Sequence, residues 1–391
     1  MSIRGPNRVS IRRKRRSNKH LIDIYTRFIT HKMRDSVVKE LFSLHDTNSP
    51  TIEENHPIKS PVQFRFSQEL LNNYKSFYLN KNVELSREHL LINGKTLKEV
   101  GTLTSGTYGQ LTIFERNIVL KEFETTSNFV EEIMISHLIN SNKLPNTIPI
   151  LPIINKDHAL IMPQVQSDLE NFYQLMASSA ETIQSMDKTT FDIIHCVLDC
   201  LVKYSKKSLY YTDLKLANLL VLLTSANEFR VIFGDIGSFV YLKKDWKGFG
   251  SDVATYPPPN SQLNKNVMSL GHVLPNRRKN IDKDLLKKLE DHGYMSRTMT
   301  WIFGAFIVNL FYILMHRKSR RRYNSFFLYG NILHSTKKEV EDRVKLELAK
   351  YQKFFQDHKC KYLLSIVNIL PKILRYNNSD RIDLDEILIH P

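Results

Sequence analysis

Between Tyr211 and Gly237 the chain carries its most restrictive pattern. It reads Tyr211-Thr212-Asp213-Leu214-Lys215-Leu216-Ala217-Asn218, then an apolar hairpin (Leu219 to Leu223, Phe229 to Phe233), then Gly234-Asp235-Ile236-Gly237. An aspartate, a lysine two residues on and an asparagine three further share one tight loop. A second aspartate, between glycines, returns after the hairpin. Phosphoryl transfer needs this residue set: one carboxylate to orient the attacking hydroxyl, a lysine to balance charge on the moving group, and an asparagine and a second carboxylate to hold metal ions. The competing reading is an Asp/Asn-capped loop in an unrelated α/β protein. The matching polar positions Asp213, Lys215, Asn218 and Asp235, with both glycines, weigh against it.

Upstream, from about Thr96, the pattern becomes short strands. Val100 to Thr104 and Gln110 to Phe114 flank Ser105-Gly106-Thr107-Tyr108-Gly109, and Glu115-Arg116-Asn117 turns the chain into Ile118 to Phe123. Glycine is scarce, 13 in all, so a pair placed at a hairpin tip is informative. A backbone that must come close to phosphates cannot carry side chains there. Lys121 lies between apolar residues on the next strand, which points it into a cleft rather than to solvent. A helix capped by Ser127 follows, to Asn140. Two further strands fit Ile148 to Ile154 and Ala159 to Met162. After Pro163-Gln164-Val165 the pattern turns helical, with helices over Asp168 to Met176 and Thr189 to Ser205.

Together these segments resemble eukaryotic-type Ser/Thr protein kinases, from about residue 96 to 391. Tyr211 to Asn218 resembles H-R-D-x-K-x-x-N, with Tyr211 for the His and Thr212 for the Arg; Asp235-Ile236-Gly237 resembles D-F-G. Leu103-Thr104-Ser105-Gly106-Thr107-Tyr108-Gly109-Gln110-Leu111 resembles the glycine-rich nucleotide loop, with Thr104 for its first glycine. Ile118-Val119-Leu120-Lys121 resembles V-A-I-K; Val119 in place of the Ala would crowd an adenine. The resemblance implies a two-lobed α+β fold, with a small antiparallel β lobe over 96–165 and a larger helical lobe over 166–391. It implies ATP and Mg2+ as cofactors and protein Ser/Thr hydroxyls as substrate. Asp213 and Lys215 would be catalytic, and Asn218 and Asp235 would bind metal. Leu103 to Leu111, Lys121, Glu132 and Val165 would hold the nucleotide. Glu131 and Glu132 both qualify to fix Lys121, with Glu132 preferred. Ala254 to Asn260 lies where the family carries A-P-E, Asp380-Arg381 resembles its closing motif, and Arg381 would meet Asn260 through a neutral hydrogen bond. Trp301-Ile302-Phe303-Gly304 resembles the W-S-x-G of a central buried helix, which makes 261–298 an insertion with a charged helix near Lys283 to His292.

The 391 residues are 42% apolar and 25% charged, ordinary globular values. The net charge of +16 is uneven. Residues 1–20 hold Arg4, Arg8, Arg12, Arg13, Lys14, Arg15, Arg16 and Lys19 and no acid, which reads as a disordered basic arm for an acidic partner, nucleic acid or an import receptor. Residues 21–95 read as a helical leader and linker, with helices over His20 to Leu44 and Phe66 to Leu79 and a linker over 46–62. Cys196, Cys200 and Cys360 show no pairing pattern and imply reduced, intracellular thiols buried in a core. Met299 to Met315 is nearly all apolar, at the short limit for a span; a buried core helix is expected and no membrane span. The Asn/Lys/Ile-rich composition is similar to divergent kinases of large DNA viruses, which implies the cytoplasm or nucleus of an infected host cell, or the virion. The alternatives are a pseudokinase scaffold and a nucleic-acid-associated protein acting through its arm.

Overall fold

The computed structural model describes residues 57–61, 83–85, 89–92, 94–106, 109–123, 126–153, 159–165, 167–179, 181–225, 227–241, 249–250, 291–316 and 335–389. The expected arm, the helices over 20–44 and 66–79, Ala254 to Asn260 and nearly all of the Lys283 to His292 helix lie outside the described residues. The described chain is a mixed α+β protein with antiparallel sheets and several helices.

In chain order the strand-rich half holds β1 (Ile58–Lys59), β2 (Val83–Leu85), β3 (Leu90–Ile92), β4 (Lys95–Leu97), β5 (Glu99–Gly106), β6 (Gly109–Phe114) and β7 (Ile118–Phe123). Helix α1 (Thr126–Ser141), β8 (Leu151–Pro152) and β9 (Ala159–Pro163) follow. Five strands form one sheet in the order β5-β6-β7-β9-β8. Alternation along these strands separates two faces, as the period of two requires. Ile118, Leu120, Ala159 and Ile161 face Leu90, Ile92 and Leu97 of the small β2-β3-β4 sheet. Phe123 and Leu160 face Ile135 and Ile139 of α1. Lys121 shares strand parity with Phe123, so it belongs to the α1 face.

The second half holds β10 (Ser167–Asp168), α2 (Leu169–Ser178), α3 (Ile183–Ser205), β11 (Leu209–Tyr211), β12 (Leu219–Ser225), β13 (Glu228–Phe233), β14 (Phe239–Tyr241) and β15 (Phe249–Gly250). It ends with α4 (His292–His316), α5 (Lys337–Asp357) and α6 (Lys361–Ile373). Asp168 caps α2, its carboxylate accepting from Asn171 N. Thr182 and Ser185 form a capping box that starts α3 well before the expected Thr189. On α5, Val340, Val344, Leu348, Tyr351 and Phe355 recur at helical spacing and pack inward, while the remaining face is charged. By length and composition α4 could cross a membrane, with a mean hydropathy of 1.8. Here 83% of its apolar window is buried inside the fold. Gly304 is what lets α6 approach: a Cβ there would stand 2.5 Å from Ile373 Cγ2.

Four expectations need correction. Residues 57–61 are not linker: Ile58 is buried and pairs with Phe229, and Lys59 with Glu228. The end of the leader is neither helix nor linker: Leu90–Ile92 and Lys95–Leu97 pair as strands across a turn at Gly94, whose φ of 73° suits glycine. The strand expected over Ile148 to Ile154 shrinks to Leu151–Pro152. Pro149 and Pro152 have no N–H for a ladder, and Ile148 N donates instead to Phe233 O. Finally, the expected boundary near 298 is not a break in the chain's structure: it falls inside α4, continuous from His292 through Trp301.

Arg381 is 4% exposed and stacks 5.1 Å from the Trp301 ring. Its guanidinium donates to the carbonyls of Arg375, Tyr376 and Arg297; Asn260 lies outside the described residues. Asp187, inside α3, joins distant helices: its carboxylate accepts from Tyr362 N at 3.0 Å and Leu363 N at 2.8 Å, capping α6. Burial pushes this carboxyl upward against the pull of those donors. Asp187→Ala strands the buried Leu363 N–H and is expected to cost about 2 kcal/mol in urea unfolding. A loss below about 0.5 kcal/mol would show that the cap is dispensable.

Candidate functional site

The loop after β11 is anchored by its apolar residues and aims its polar ones. Leu214 and Leu216 are buried. The Tyr211 ring lies fully buried against Phe233 at 4.9 Å and Phe239 at 4.7 Å. Between these anchors Asp213 accepts from Lys215 Nζ at 2.6 Å. Asn218 Nδ2 donates to Asp213 O at 3.0 Å and to Asp213 Oδ2 at 2.9 Å. The amide nitrogen is thus spent inside the loop, and Asn218 Oδ1 remains as the oxygen donor.

The β12–β13 hairpin carries Asn218 at one root and Asp235 at the other. Leu219 pairs with Phe233, and Gly234 N donates to Asn218 O at 2.8 Å. Gly234 is required by that approach: a Cβ would stand 2.8 Å from Leu220 Cδ1 and 3.1 Å from Asn218 O. Asp235 Oδ2 accepts from Ser238 Oγ at 2.8 Å, and Ser238 O accepts from Thr212 N at 3.1 Å. Ser238 therefore ties the loop of Asp213 to the turn of Asp235. No feature of the sequence marks Ser238 for this part.

Lys121 joins this loop pair to the strand-rich half. Its Nζ lies 2.6 Å from Glu132 Oε2 and 3.6 Å from Asp235 Oδ1. Glu131's side chain lies outside the described residues. Burial alone would depress the lysine's pKa; the charges of Glu132 and Asp235 outweigh it and hold the group above its ordinary value. Burial pushes the Glu132 carboxyl upward, against the pull of Lys121 and with the repulsion of Asp235.

The expected nucleotide loop is a hairpin beside this lysine. Leu103 pairs with Leu111, and Leu111 with Lys121. Ser105 and Gly106 end β5, and Gly109 and Gln110 begin β6; Thr107 and Tyr108 lie outside the described residues. Val165 follows β9 at the opposite end of β7, where Ile118 pairs with Pro163. Val119 is buried, pairs with Met162 and shares the strand face of Lys121. Cys200 is buried and Cys196 half-buried, accepting from Asn146 Nδ2. Among the described residues no group of three or more His, Cys, Asp or Glu gathers as a metal site.

Mg2+ is usually held by one or two carboxylates together with phosphate oxygens and water. Asp235, its side chain 28% exposed, and Asn218 Oδ1 fit that donor set.

Lys121→Met would leave Glu132 buried without its cation. Its folded pKa, already raised, would rise further, so the native state would bind a proton the unfolded state releases. Stability would then fall as pH rises from the unfolded carboxyl value toward the folded one. Urea midpoints should show a larger penalty at about pH 8 than at about pH 5, and Glu132→Gln added to Lys121→Met should remove the difference. An equal penalty at both would mean that Glu132 does not depend on Lys121. No protein-family model matches the chain, and a search of the curated proteins finds no match either.

Proposed function

We propose that the chain is an ATP-dependent protein kinase with a two-lobed fold, transferring the γ-phosphoryl group to Ser/Thr hydroxyls of proteins. One observation carries the reading. Lys121, fixed by Glu132 at 2.6 Å, reaches within 3.6 Å of Asp235, on the hairpin that also carries the Asp213-Lys215-Asn218 loop. Residues from separate parts of the sequence thus meet in the combination that phosphoryl transfer uses.

Bound ATP with Mg2+ would supply the phosphoryl group and offset its charge. Asp213 would orient the substrate hydroxyl and accept its proton. Lys215, already against Asp213 Oδ2, would carry positive charge toward the transferring group. Asn218 Oδ1 and Asp235 would hold metal, Lys121 would bind the α- and β-phosphates, and Glu132 would keep Lys121 in place. The β5–β6 hairpin would lie over the phosphates, and the Val165 N–H would bind the adenine edge. A lysine two residues after Asp213 is the Ser/Thr-type arrangement.

The test is incubation with labelled ATP, Mg2+ and a basic or an acidic protein acceptor, beside Asp213→Asn. Removing the group that accepts the proton should lower transfer by about a hundredfold or more while unfolding stays unchanged. Near-wild-type labelling by Asp213→Asn would remove Asp213 from that role.

Thr212 adds an expectation about regulation. Its side chain turns inward to Ser238 O at 3.3 Å, so it offers no cation to a phosphate on the segment after β14. A phosphate at Ser251 or Thr255, both outside the described residues, would lack that partner. Protein made in bacteria and treated with phosphatase should phosphorylate an added substrate without a lag. A rate that recovers only after rephosphorylation within residues 238–256 would show that the segment is a switch.

A further inference from the structure

β13 has one edge paired with β12 and the other open to the rest of the chain. Two separate segments cover that second edge. Near the site, Phe233 N donates to Asn146 O at 2.7 Å and Ile148 N donates to Phe233 O at 2.9 Å. At the far end the cover is β1, from a segment more than a hundred residues earlier in sequence. Ile58 pairs with Phe229, Lys59 with Glu228, and Ser60 N donates to Asn227 O at 2.7 Å. The parity is that of a true edge strand: Ile58 is buried, Lys59 is exposed and Ser60 is buried. Thr189 Oγ1 of α3 donates to Lys59 O at 2.9 Å and closes the other side.

The place of this pairing gives it a purpose. The β12–β13 register is regular from Leu219↔Phe233 to Leu223↔Phe229 and then shifts at Thr224, with Ser225 opposite Glu228. Beyond that shift the ladder holds a single pair, Ser225↔Glu228, and a slip of one residue would move every side chain to the other face. β1 pairs with Phe229 and Glu228, the residues on either side of that shift. A slip would also move Asp235 relative to Asn218, because both sit at the root of the same ladder.

We infer that residues 57–61 are a positioning strand of the candidate site, pinning the register of the hairpin that carries Asn218 and Asp235. The leader is then no separable arm: the smallest competent unit begins before residue 57, although the kinase resemblance begins near 96. Ile58 and Ser60 touch no substrate or metal and act through the hairpin.

The test uses the full chain with Ile58→Asp, Ser60→Pro, the conservative Ile58→Val, and Thr336→Ala, which removes the cap of α5 (Glu339 N to Thr336 Oγ1, 3.3 Å), as a destabilised control away from the hairpin. Hydrogen exchange of the Leu219–Phe233 amides is the first readout and is independent of the kinase reading. Once corrected for each variant's global stability in urea, Ile58→Asp and Ser60→Pro should quicken it by about tenfold or more, whereas Ile58→Val and Thr336→Ala should leave it within about twofold of the parent. The second readout rests on the kinase reading: the Mg2+ concentration for half-maximal transfer should rise several-fold in Ile58→Asp and stay unchanged in Thr336→Ala. Unchanged hairpin exchange in both Ile58→Asp and Ser60→Pro would overturn the proposal. So would equal stability-corrected quickening in Thr336→Ala, which would show general loosening. Quickened exchange with an unaltered Mg2+ requirement would overturn the positioning role, and absence of any transfer by the parent would count against the kinase reading alone.

Discussion

The backbone of Phe233 is held from two directions. Its amide and carbonyl bond to Asn146 and Ile148 of the segment after α1, and Leu219 lies opposite it across β12. Its ring packs edge-on to Tyr204 at 5.2 Å and to Tyr211 at 4.9 Å. The next residues are Gly234 and Asp235, so this cluster sets where the second carboxylate stands. It also joins the two halves: Asn146 and Ile148 follow the helix that carries Glu132, while Tyr211 precedes Asp213. The packing is dense and fully buried, which makes such a junction stiff rather than pliable.

On that frame the charges are few and close. Lys121 gathers Glu132 and Asp235, and Lys215 and Asn218 gather on Asp213. Burying Lys121 and Glu132 is unfavourable unless they pair, and breaking such a pair leaves a charge that the interior cannot solvate. That cost adds to the apolar packing of Phe123 against Ile135 and Ile139 in holding α1 against β7, with Lys121 Nζ 4.8 Å from the Phe123 ring centroid. Ser238 does the same work on the other side of Asp235, with one hydroxyl and one carbonyl shared between the two loops. Preorganised charge of this kind suits a reaction in which the protein positions and neutralises rather than reacts covalently.

The polar core of the site was legible because its residues crowd into short stretches. Asp213 to Asn218 and Gly234 to Gly237 are local, and Lys121 stands out as a cation inside an apolar strand. The partner of Lys121 was legible to within two neighbouring glutamates, and the helix phase places Glu132 on the buried face beside Ile135 and Ile139. What escaped the sequence are contacts made by backbone or by unremarkable residues at long range. Ser238, Asn146 and β1 act through carbonyls and amides that every residue has. Ile58-Lys59 is too short to show a period, and it sits among Pro, Asn and Ser that read as linker. The early start of α3 at Ile183 was masked by polar residues in its first turns, and only the Thr182–Ser185 box explains it.

Whether Lys121, Asp235 and the Asp213 loop form one nucleotide site is open to a single measurement: calorimetric titration of the full chain with a non-hydrolysable ATP analogue, with and without Mg2+, beside Lys121→Met. The account predicts saturable binding that strengthens with Mg2+ and is lost or severely weakened in Lys121→Met, with the hairpin still folded by hydrogen exchange. Equal binding by parent and variant, or no binding by a folded parent, would contradict it.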